Sequence, residues 1–562
     1  MKTPSTLNKL AVAVSLLAGS QAAMALTPWT NGAPFITIYT SGGSAQDKAV
    51  TAAIQSAQVS VSGTLDIFQD TTSSQQRVNG TLTTVTTNGG NFTAYYFTGS
   101  NSLTDTALRG KQILLVKRTL GSAGYGVVPL LDNSNLDNLN ITATTAANWS
   151  GAGKTHLATI TQANASTYLT QVPSHGGFTG VDAPALLQGG YNYPLPVNEV
   201  STGAPVAPFT TNYTAASLTA KGITRIPTGG ETYGIAVTTD LYKVLQAAQI
   251  ADGSLTLPAG HAIGSYASDG DLPSLSRNFV AALLAGNVQT WANVLVNDTT
   301  LGSTPLTSYA SAAGVTAPAN NVVGVGIRNA GAAIGAVGYA KFLGYPYVPN
   351  ASAPPTAIAD TSADEFAAAP LVKAPTGATD TDNLLNDWQF GDNTSGHNNV
   401  TAVTSGDPTS LTNERIWGLA IQTADRNNTG TLGYRYIKID GAAPTIPNIA
   451  NGTYPVWAEG EVLISSHATA SESLFLKDFG KALGSAALAG VVDASLTEPY
   501  GQSGIFATVN SDATVTNFAN VPFVASQPVV PYSHGVSGFT SLGIVPYATD
   551  AAKDGNPNVI LK

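Results

Sequence analysis

The 562-residue chain contains no cysteine and only two methionines, Met1 and Met24. Disulfide bonds are therefore excluded, and so is thiolate chemistry. Charged residues are also scarce, at 10% of the sequence, and acidic residues outnumber basic ones by 34 to 24. The resulting net charge of −10 argues against nucleic acid and anionic membrane surfaces as partners.

The first 25 residues have the pattern of a secretory signal peptide. Lys2 and Lys9 make a charged N-terminal region, residues 10–18 an apolar core, and residues 23–25 (AMA) an A-x-A cleavage site. The apolar core is much shorter than the roughly 18 residues that a membrane span needs. The sequence therefore predicts a chain that is processed near Leu26, is periplasmic or secreted, and is not membrane-embedded. After processing it would contain no sulfur and carry a net charge of −12, since Lys2 and Lys9 are lost.

Predicted strands and helices alternate along the rest of the chain. Strand patterns occur at 34–40 (PFITIYT) and 111–120 (KQILLVKRTL), and helical patterns begin at about Ser44, at Ser274 or Ser276, and at 471. Residues 231–253 and 320–344 each indicate a strand followed by a helix. The chain is too long for one hydrophobic core. We therefore expect an α/β fold with largely parallel sheets, more than one domain, and inserted segments at 60–100 and 348–410.

Four loops after predicted strands combine glycine with hydroxyl or amide side chains. We refer to residues 40–44 (TSGGS), 121–124 (GSAG), 176–180 (GGFTG) and 328–332 (RNAGA) as loops 1 to 4. Taken singly, each is typical of a tight turn. Glycine also lets a ligand approach backbone N–H groups, and ligands of open α/β sheets lie beyond the carboxyl ends of the strands. Together the loops therefore indicate a cage for a small oxyanion, in which Arg328 supplies the only full positive charge.

In their order along the chain, these loops resemble those of the phosphate-type solute-binding proteins of ABC transporters, which have the type 2 periplasmic-binding fold. The segments SGGSAQ (41–46), GSAGYGV (121–127) and GGFTGVDAP (176–184) are similar to the family's first three anion loops. The segment GIRNAGAAIGAVGYAKFLG (326–344) is similar to its Arg-x-x-Gly-Ser-Gly-Thr loop and following helix. Residues 274–294 and 433–457 are similar to two further family segments, so the resemblance extends over roughly residues 35–480 apart from the insertions.

The resemblance implies two α/β lobes joined by a hinge, with a ligand cleft between them. Lobe I would comprise residues 26–239 and 415–562, and lobe II residues 240–414. The ligand-binding residues it implies are Ser41, Gly42, Gly43, Ser44, Ser122, Gly124, Thr179, Asp182, Arg328 and Asn329. The ligand would be a small anionic or polar molecule, and an ABC permease would be a partner.

The chain departs from the family pattern at several ligand positions. Loop 3 has Thr179-Gly180 where the family has Ser-Asp, so the aspartate that accepts the phosphate proton is missing unless Asp182 takes its place. After loop 4, Ala333 and Ile334 follow Ala332, and two hydroxyl donors are lost. Each charge-assisted hydrogen bond to an anion contributes roughly 1.5–3 kcal/mol. The departures therefore predict a phosphate affinity several powers of ten below that of the family.

Other chemistry finds little support in the sequence. The six histidines are far apart, and no G-x-S-x-G motif occurs. Residues 425–436 begin like a calcium loop but end in Tyr436, which favours a polar turn. We therefore predict no catalytic residue, metal ion or cofactor, and a protein that is not an enzyme. Three functions stay open: an exported solute-binding protein for phosphate or another small oxyanion, an abundant extracellular structural or surface protein with a degenerate anion site, and a phosphatase-like enzyme.

Overall fold

The computed structural model describes residues 28–43, 47–71, 73–78, 81–86, 90–187, 213–318, 321–345, 354–358, 369–391, 395–397, 415–427, 429–496, 498–508, 511–512 and 524–530. The predicted signal peptide, the site residue Ser44 and about half of the segment 348–410 lie outside these ranges. The described part of that segment includes β16 of the main sheet, so it is not wholly an insertion as we expected. No helix within them is long and apolar enough to cross a membrane.

The strands are β1 (Ile36–Gly42), β2 (Asp66–Asp70), β3 (Ser73–Val78), β4 (Thr81–Thr86), β5 (Phe92–Thr98), β6 (Gln112–Arg118), β7 (Asn135–Leu139), β8 (Thr155–Ala158), β9 (Leu169–Pro173), β10 (Gly176–Thr179), β11 (Thr224–Thr238), β12 (Ser274–Leu275), β13 (Leu295–Asp298), β14 (Gly302–Pro305), β15 (Gly324–Gly326), β16 (Leu371–Lys373), β17 (Gly418–Thr423), β18 (Tyr434–Tyr436), β19 (Lys438–Ile439), β20 (Trp457–Ile464) and β21 (Ile505–Phe506).

The α-helices are α1 (Pro28–Asn31), α2 (Asp47–Gln55), α3 (Val128–Asp132), α4 (Ala165–Tyr168), α5 (Ala215–Ala220), α6 (Thr239–Ala251), α7 (Arg277–Leu284), α8 (Ala333–Gly338), α9 (Ala378–Phe390), α10 (Ile446–Ala450), α11 (Ala470–Leu483) and α12 (Ala486–Asp493). The helix predicted near Ser274 is confirmed as α7, with Ser276 as its cap: the Ser276 hydroxyl accepts a hydrogen bond from Phe279 N.

The fold is α/β, as predicted, and is built on one large mixed sheet in the order β16-β15-β17-β11-β20-β10-β1-β6-β5-β2-β8, with β18 and β21 also paired to β11. The sheet contains two parallel blocks. In the first, β1 runs parallel to both β6 and β10. In the second, β15 runs parallel to both β16 and β17.

The two blocks are joined by antiparallel strands, which the prediction of largely parallel sheets missed. Strand β11 pairs antiparallel with β20 through Thr224–Thr232 and with β17 through Tyr233–Val237. It therefore runs from the first block into the second. Strands β2 and β5 fall within the segment 60–100 that we expected to be an insertion, yet both belong to the main sheet. The lobe boundaries at residues 240 and 414 remain a prediction.

A single hydrophobic cluster contains side chains from both blocks. Val127 and Val181, which follow loops 2 and 3, belong to it together with Val325 of β15 and with Ile334 and Val337 of α8. All five side chains are less than 10% exposed. The two blocks are therefore packed against each other through apolar contacts in this structure, and separating them would expose that surface to water.

Candidate functional site

Loops 1 to 3 meet at one edge of the first parallel block. Loop 1 lies mostly within β1, loop 3 is β10 together with Gly180, and only loop 2 follows its strand, β6. Because the carboxyl ends of parallel strands lie at the same edge of a sheet, these three segments are neighbours. Gly42 of loop 1 pairs with Phe178 of loop 3, and Ser41 pairs on its other side with Arg118, which precedes loop 2. The register of the strands therefore brings these three loops together, as the sequence predicts.

Glycines let these loops touch backbone to backbone. Gly42 has φ of 122°, and a Cβ atom there would lie 2.1 Å from the carbonyl oxygen of Phe178. A Cβ atom on Gly177 would lie 1.8 Å from the carbonyl oxygen of Gly126, and one on Gly126 would lie 2.3 Å from the Phe178 oxygen. No side chain fits at these positions, so the glycines make the close contact between the loops possible.

Several donors that we expected to face a ligand are bonded within the protein. The Ser41 hydroxyl donates to the carbonyl oxygen of Tyr125 at 2.7 Å and accepts from the Ser174 hydroxyl at 3.0 Å. Gly43 N donates to the Phe178 carbonyl oxygen at 3.2 Å. In this arrangement loop 1 is held by its neighbours, and these donors become available to a ligand only if the loops move.

Lys117, which the sequence analysis overlooked, supports loop 1 from inside the protein. Its side chain is 1% exposed, and its Nζ lies 2.6 Å from Asp47 Oδ1 and donates to the Gly43 carbonyl oxygen at 3.1 Å. Burial raises the pKa of Asp47, although the charge of Lys117 acts in the opposite direction. The signal that could have found it is the basic pair Lys117-Arg118 at the end of the apolar run of β6, since a buried charge needs a partner.

Loop 4 follows β15 and contacts loop 2. Gly124 N donates to the Gly331 carbonyl oxygen at 2.9 Å, which links the first block to the second. Ala332 occupies the N-cap position of α8 and has no side-chain oxygen for the first turn. The four loops are therefore brought together, and the Gly124–Gly331 hydrogen bond closes the group.

Arg328 is a further buried cation of this group, besides Lys117 and Arg118, so it is not the only full positive charge near the loops. Its side chain is 8% exposed; Nε donates to the Pro375 carbonyl oxygen at 3.1 Å and Nη2 to the Thr376 carbonyl oxygen at 2.9 Å. Burial lowers the pKa of its guanidinium to about 10, so it remains protonated at neutral pH. Among the described residues no carboxylate lies within ion-pair distance of it, whereas Arg225 and Arg426 each pair with one.

Tyr233 lies between Arg328 and loop 3. Its hydroxyl is 3.1 Å from the Gly180 carbonyl oxygen and 3.2 Å from Glu231 Oε2. Burial raises the pKa of Tyr233 well above its usual value, and the charge of Arg328 lowers it in part. Tyr233 belongs to β11, the strand that joins the two blocks, and it is not among the predicted site residues.

Two predicted ligand-binding residues have buried polar atoms with no partner in the described part of the chain. They are Thr179, at its Oγ1, and Asn329, at its Oδ1. Thr179 points to the same face of β10 as Gly177, whose Cβ position faces loop 2. Ser122 of loop 2 has φ of 64°, a conformation that L-residues rarely adopt and that is found at ligand clamps.

Asp182 lies in a different setting. It is fully buried, and its Oδ1 is 4.0 Å from Nη2 of Arg225, which also pairs with Glu461. The carboxylate is therefore next to a positive charge. Its suggested role as acceptor of a ligand proton stays a prediction.

The space beside Arg328 is small. A cavity of about 20 Å³ is lined by Arg328, Ile334, Tyr339, Ile421 and neighbouring glycines. This volume holds about one water molecule and is too small for a tetrahedral oxyanion. Ile334, at a position where a hydroxyl was expected from the family pattern, is 4% exposed and contributes an apolar wall.

We searched the described residues for side chains that could hold a metal ion. No group of three or more His, Asp or Glu side chains in the described ranges is arranged to hold a metal ion. In the segment compared with a calcium loop, the Asn427 side chain bonds to Leu432 N and to the Tyr434 carbonyl oxygen. Those bonds stabilise a polar turn, as the sequence favoured.

Comparison with protein-family models finds no match, and neither does comparison with curated proteins. Solved structures do match. One is a protein assigned as a phosphate ABC transporter substrate-binding protein from Clostridium perfringens, solved with bound phosphate. It is 9% identical to this chain with a TM-score of 0.32, and the match covers 80% of this chain and 96% of the Clostridium protein. An ABC-type phosphate transport receptor from Vibrio cholerae is 11% identical, with a TM-score of 0.23, over 48% of this chain and 70% of its own. PstS from Borrelia burgdorferi is 8% identical, with a TM-score of 0.23, over 55% of this chain and 73% of its own. Each is a protein to which this chain is similar at low identity.

Proposed function

We propose that the chain is a solute-binding protein that takes a small oxyanion, phosphate or one of similar shape, at Arg328. The observation that carries this is a buried guanidinium that is held in place by two backbone carbonyl oxygens and has no carboxylate of the described residues at ion-pair distance, although the charges of Asp380 and Asp382 are near enough to raise its pKa in part. A buried charge without a partner is costly, and an anion would supply the partner. Thr179 and Asn329, with unpartnered polar atoms in loops 3 and 4, are the neighbouring groups suited to orient it.

Ligand entry requires the loops to separate. The cavity beside Arg328 holds about one water molecule, and the Gly124–Gly331 hydrogen bond closes loop 2 against loop 4. The ligand must therefore bind an opened form, and its apparent affinity falls by the fraction of molecules that are open. Together with the missing hydroxyls after loop 4, this favours weak binding. Export by the signal peptide and delivery to an ABC permease are parts of the same proposal.

Thermal shift in the presence of phosphate, sulfate, arsenate or small organic anions tests the proposal. A ligand at one hundred times its dissociation constant stabilises the folded state by about 2.7 kcal/mol. We expect at least one oxyanion to raise the melting temperature of the wild-type protein and to have little effect on Arg328→Gln. The matched control is Arg415→Gln, since Arg415 is half exposed and pairs with Asp240 away from the loops. Loss of the shift in both variants, or in neither, would contradict binding at Arg328.

A second candidate is an extracellular structural protein, and the closed loops favour it. The donors of loop 1 bond to neighbouring carbonyl oxygens, and apolar side chains join the two blocks. If this is the function, no anion in the panel stabilises the protein. Arg328→Gln then changes only the stability of the free chain, by about 1–3 kcal/mol for the hydrogen bonds to Pro375 and Thr376.

A further inference from the structure

Arg328 offers a ligand at most one unit of positive charge. Burial lowers its pKa, and of the neighbouring charges that of Asp380 opposes this most strongly. His397 Nε2 lies 2.9 Å from Asp380 Oδ2, so a protonated His397 would only neutralise that carboxylate. Asp382 forms an ion pair with Arg426, and these two charges largely cancel. A second negative charge on the ligand would therefore be buried without a cation to compensate it, which is costly.

The other buried cations near the loops, Lys117 and Arg118, are engaged elsewhere. Lys117 Nζ lies 2.6 Å from Asp47 Oδ1. Arg118 directs its Nη1 to the Leu120 carbonyl oxygen at 2.7 Å, and its guanidinium lies 5.3 Å from the centre of the Tyr125 ring. Both side chains belong to β6 of the first block, so they stay with that block when loops 2 and 4 separate.

The guanidinium of Arg328 has donors left for one carboxylate. A guanidinium carries five N–H donors, and Nε and Nη2 of Arg328 each donate to a backbone carbonyl oxygen, those of Pro375 and Thr376. Three N–H donors remain in the described part of the chain, two of them on Nη1. A carboxylate accepts two parallel N–H bonds from such a fork, whereas a tetrahedral anion presents four oxygens. The remaining donors therefore suit a carboxylate better than phosphate or sulfate.

The walls of the cavity beside Arg328 are otherwise apolar. Besides three glycines, the lining residues are Leu284, Ile327, Ile334, Tyr339 and Ile421. The Tyr339 hydroxyl donates to the carbonyl oxygen of Arg328 itself at 3.4 Å, so its polar end is already used. None of these residues belongs to loops 1 to 3. They are carried by α7, by β17, and by the segment that joins β15 to α8 and continues beyond it, so the apolar wall stays with Arg328 when the loops separate.

Opening the loops would expose more apolar surface beside this wall. Helix α8 packs against residues 183–187 (APALL), which are buried and follow loop 3. Val127 and Val181 belong to the same apolar cluster as Ile334 and Val337. Loss of these contacts costs free energy in proportion to the apolar area that is exposed. An apolar group on the ligand would cover part of that surface, which phosphate and sulfate cannot do.

We propose that the site at Arg328 prefers a short-chain monocarboxylate to phosphate or sulfate, with the carboxylate on the guanidinium and the alkyl chain against Ile334 and Ile421. The inference rests on the proposed function, because it requires that anions bind at Arg328. Phosphate and sulfate bind at the same place, but more weakly. Ile334, which stands where the family pattern has a hydroxyl, is then the residue that determines the class of ligand.

Isothermal titration calorimetry with butyrate, acetate, succinate and sulfate near neutral pH tests the preference. Succinate has as many carbon atoms as butyrate but carries a second charge, and acetate lacks two of its methylene groups. We expect the affinity for butyrate to be at least about tenfold higher than that for each of the other three, since one methylene group in an apolar pocket already changes affinity about tenfold or more. An affinity for sulfate equal to or above that for butyrate, with both lost in Arg328→Gln, would overturn the preference but leave the proposed function intact. Absence of binding by all four anions would contradict both.

Ile334→Thr tests the assignment of the apolar wall. It should lower the ratio of butyrate affinity to sulfate affinity at least about tenfold, because a hydroxyl replaces part of the wall and can donate to sulfate. Ile449→Thr on α10 is the matched control: both isoleucines are 4% exposed, and Ile449 does not line the cavity. An unchanged ratio in Ile334→Thr, or equal butyrate affinities of the wild-type protein and Arg328→Gln, would overturn the proposal. Should Ile334→Thr fail to fold, the comparison of the four anions on the wild-type protein still decides.

Discussion

Gly177→Ala is expected to lower the free energy of unfolding by at least about 3 kcal/mol and to reduce the yield of folded protein. The added Cβ atom would lie 1.8 Å from the Gly126 carbonyl oxygen and 2.6 Å from its carbonyl carbon. Both obstacles are backbone, so relief requires loops 2 and 3 to move apart. That movement would also disturb Gly42 and Phe178, which pack at the same point.

Gly377→Ala provides the matched control for this substitution. Gly377 precedes α9, has φ of −142°, and has no atom within 4 Å of the position that a Cβ would take. Alanine there should change the free energy of unfolding by about 1 kcal/mol or less. Chemical denaturation of the two variants measures the difference. Similar stabilities for both would show that the loops do not pack as the structure has them.

The stability of the folded protein is expected to fall as the pH rises from 5 to 7. Burial raises the pKa of Asp493 to about 8 and that of Glu498 to about 7, and in both cases neighbouring carboxylates add to the effect. In the unfolded chain both groups lose their protons near pH 4. The folded state therefore binds more protons over this range, and stability falls with rising pH.

Other titrating groups set the limits of this window. Burial raises the pKa of Asp70 to about 6 and that of Glu231 well above its usual value, and both act in the same direction. Hydrogen bonds lower the pKa of Asp298, so its contribution is lost only as the pH falls toward 4 and below. Burial lowers the pKa of Lys341 to about 7, which makes stability rise with pH above 7 and opposes the carboxylates there. The steepest fall should therefore lie between pH 5 and 7.

Asp493→Asn tests the assignment of this pH dependence. The Asp493 carboxylate accepts from Ile505 N at 3.0 Å, and an asparagine carbonyl oxygen can accept the same bond. In the variant, the free energy of unfolding should depend less steeply on pH, because about one fewer proton is released. The slope should change by about 1.4 kcal/mol per pH unit. Asp132→Asn, at an exposed aspartate, should keep the wild-type slope. Urea denaturation at pH 5, 6 and 7 gives the slopes, and a wild-type curve that rises over this range would refute the account.

The convergence of the loops could be predicted from the sequence, because it follows from strand direction. Patterns of apolar residues located β1 and β6, and parallel pairing places the loops that follow them at one edge. The Gly-rich composition of the loops also indicated close backbone contact. What the contact serves could not be predicted, because Gly43 N could donate equally to an anion or to Phe178, and only the register of β1 with β10 decides in favour of Phe178 in this structure.

Long-range packing accounts for the features that the sequence did not reveal. The start of β11, from Thr224 through Gly230, has the composition of a turn, yet it is extended because it pairs with β20 and with β21. At Gly230 the ring of Phe506 occupies the space of a side chain. The predicted late helix is two helices, α11 and α12, separated at Gly484 because Ser511 packs where a Cβ would lie and Ser485 caps the second helix.

Isothermal titration calorimetry with phosphate and sulfate tests the central claim most directly, namely that Arg328 binds a small oxyanion. The account predicts one site per chain in the wild-type protein and in Arg415→Gln. For Arg328→Gln it predicts an affinity that is at least about tenfold lower, since a charge-assisted hydrogen bond contributes roughly 1.5–3 kcal/mol. Absence of binding to the wild-type protein, or equal affinities of the wild-type protein and Arg328→Gln, would contradict it.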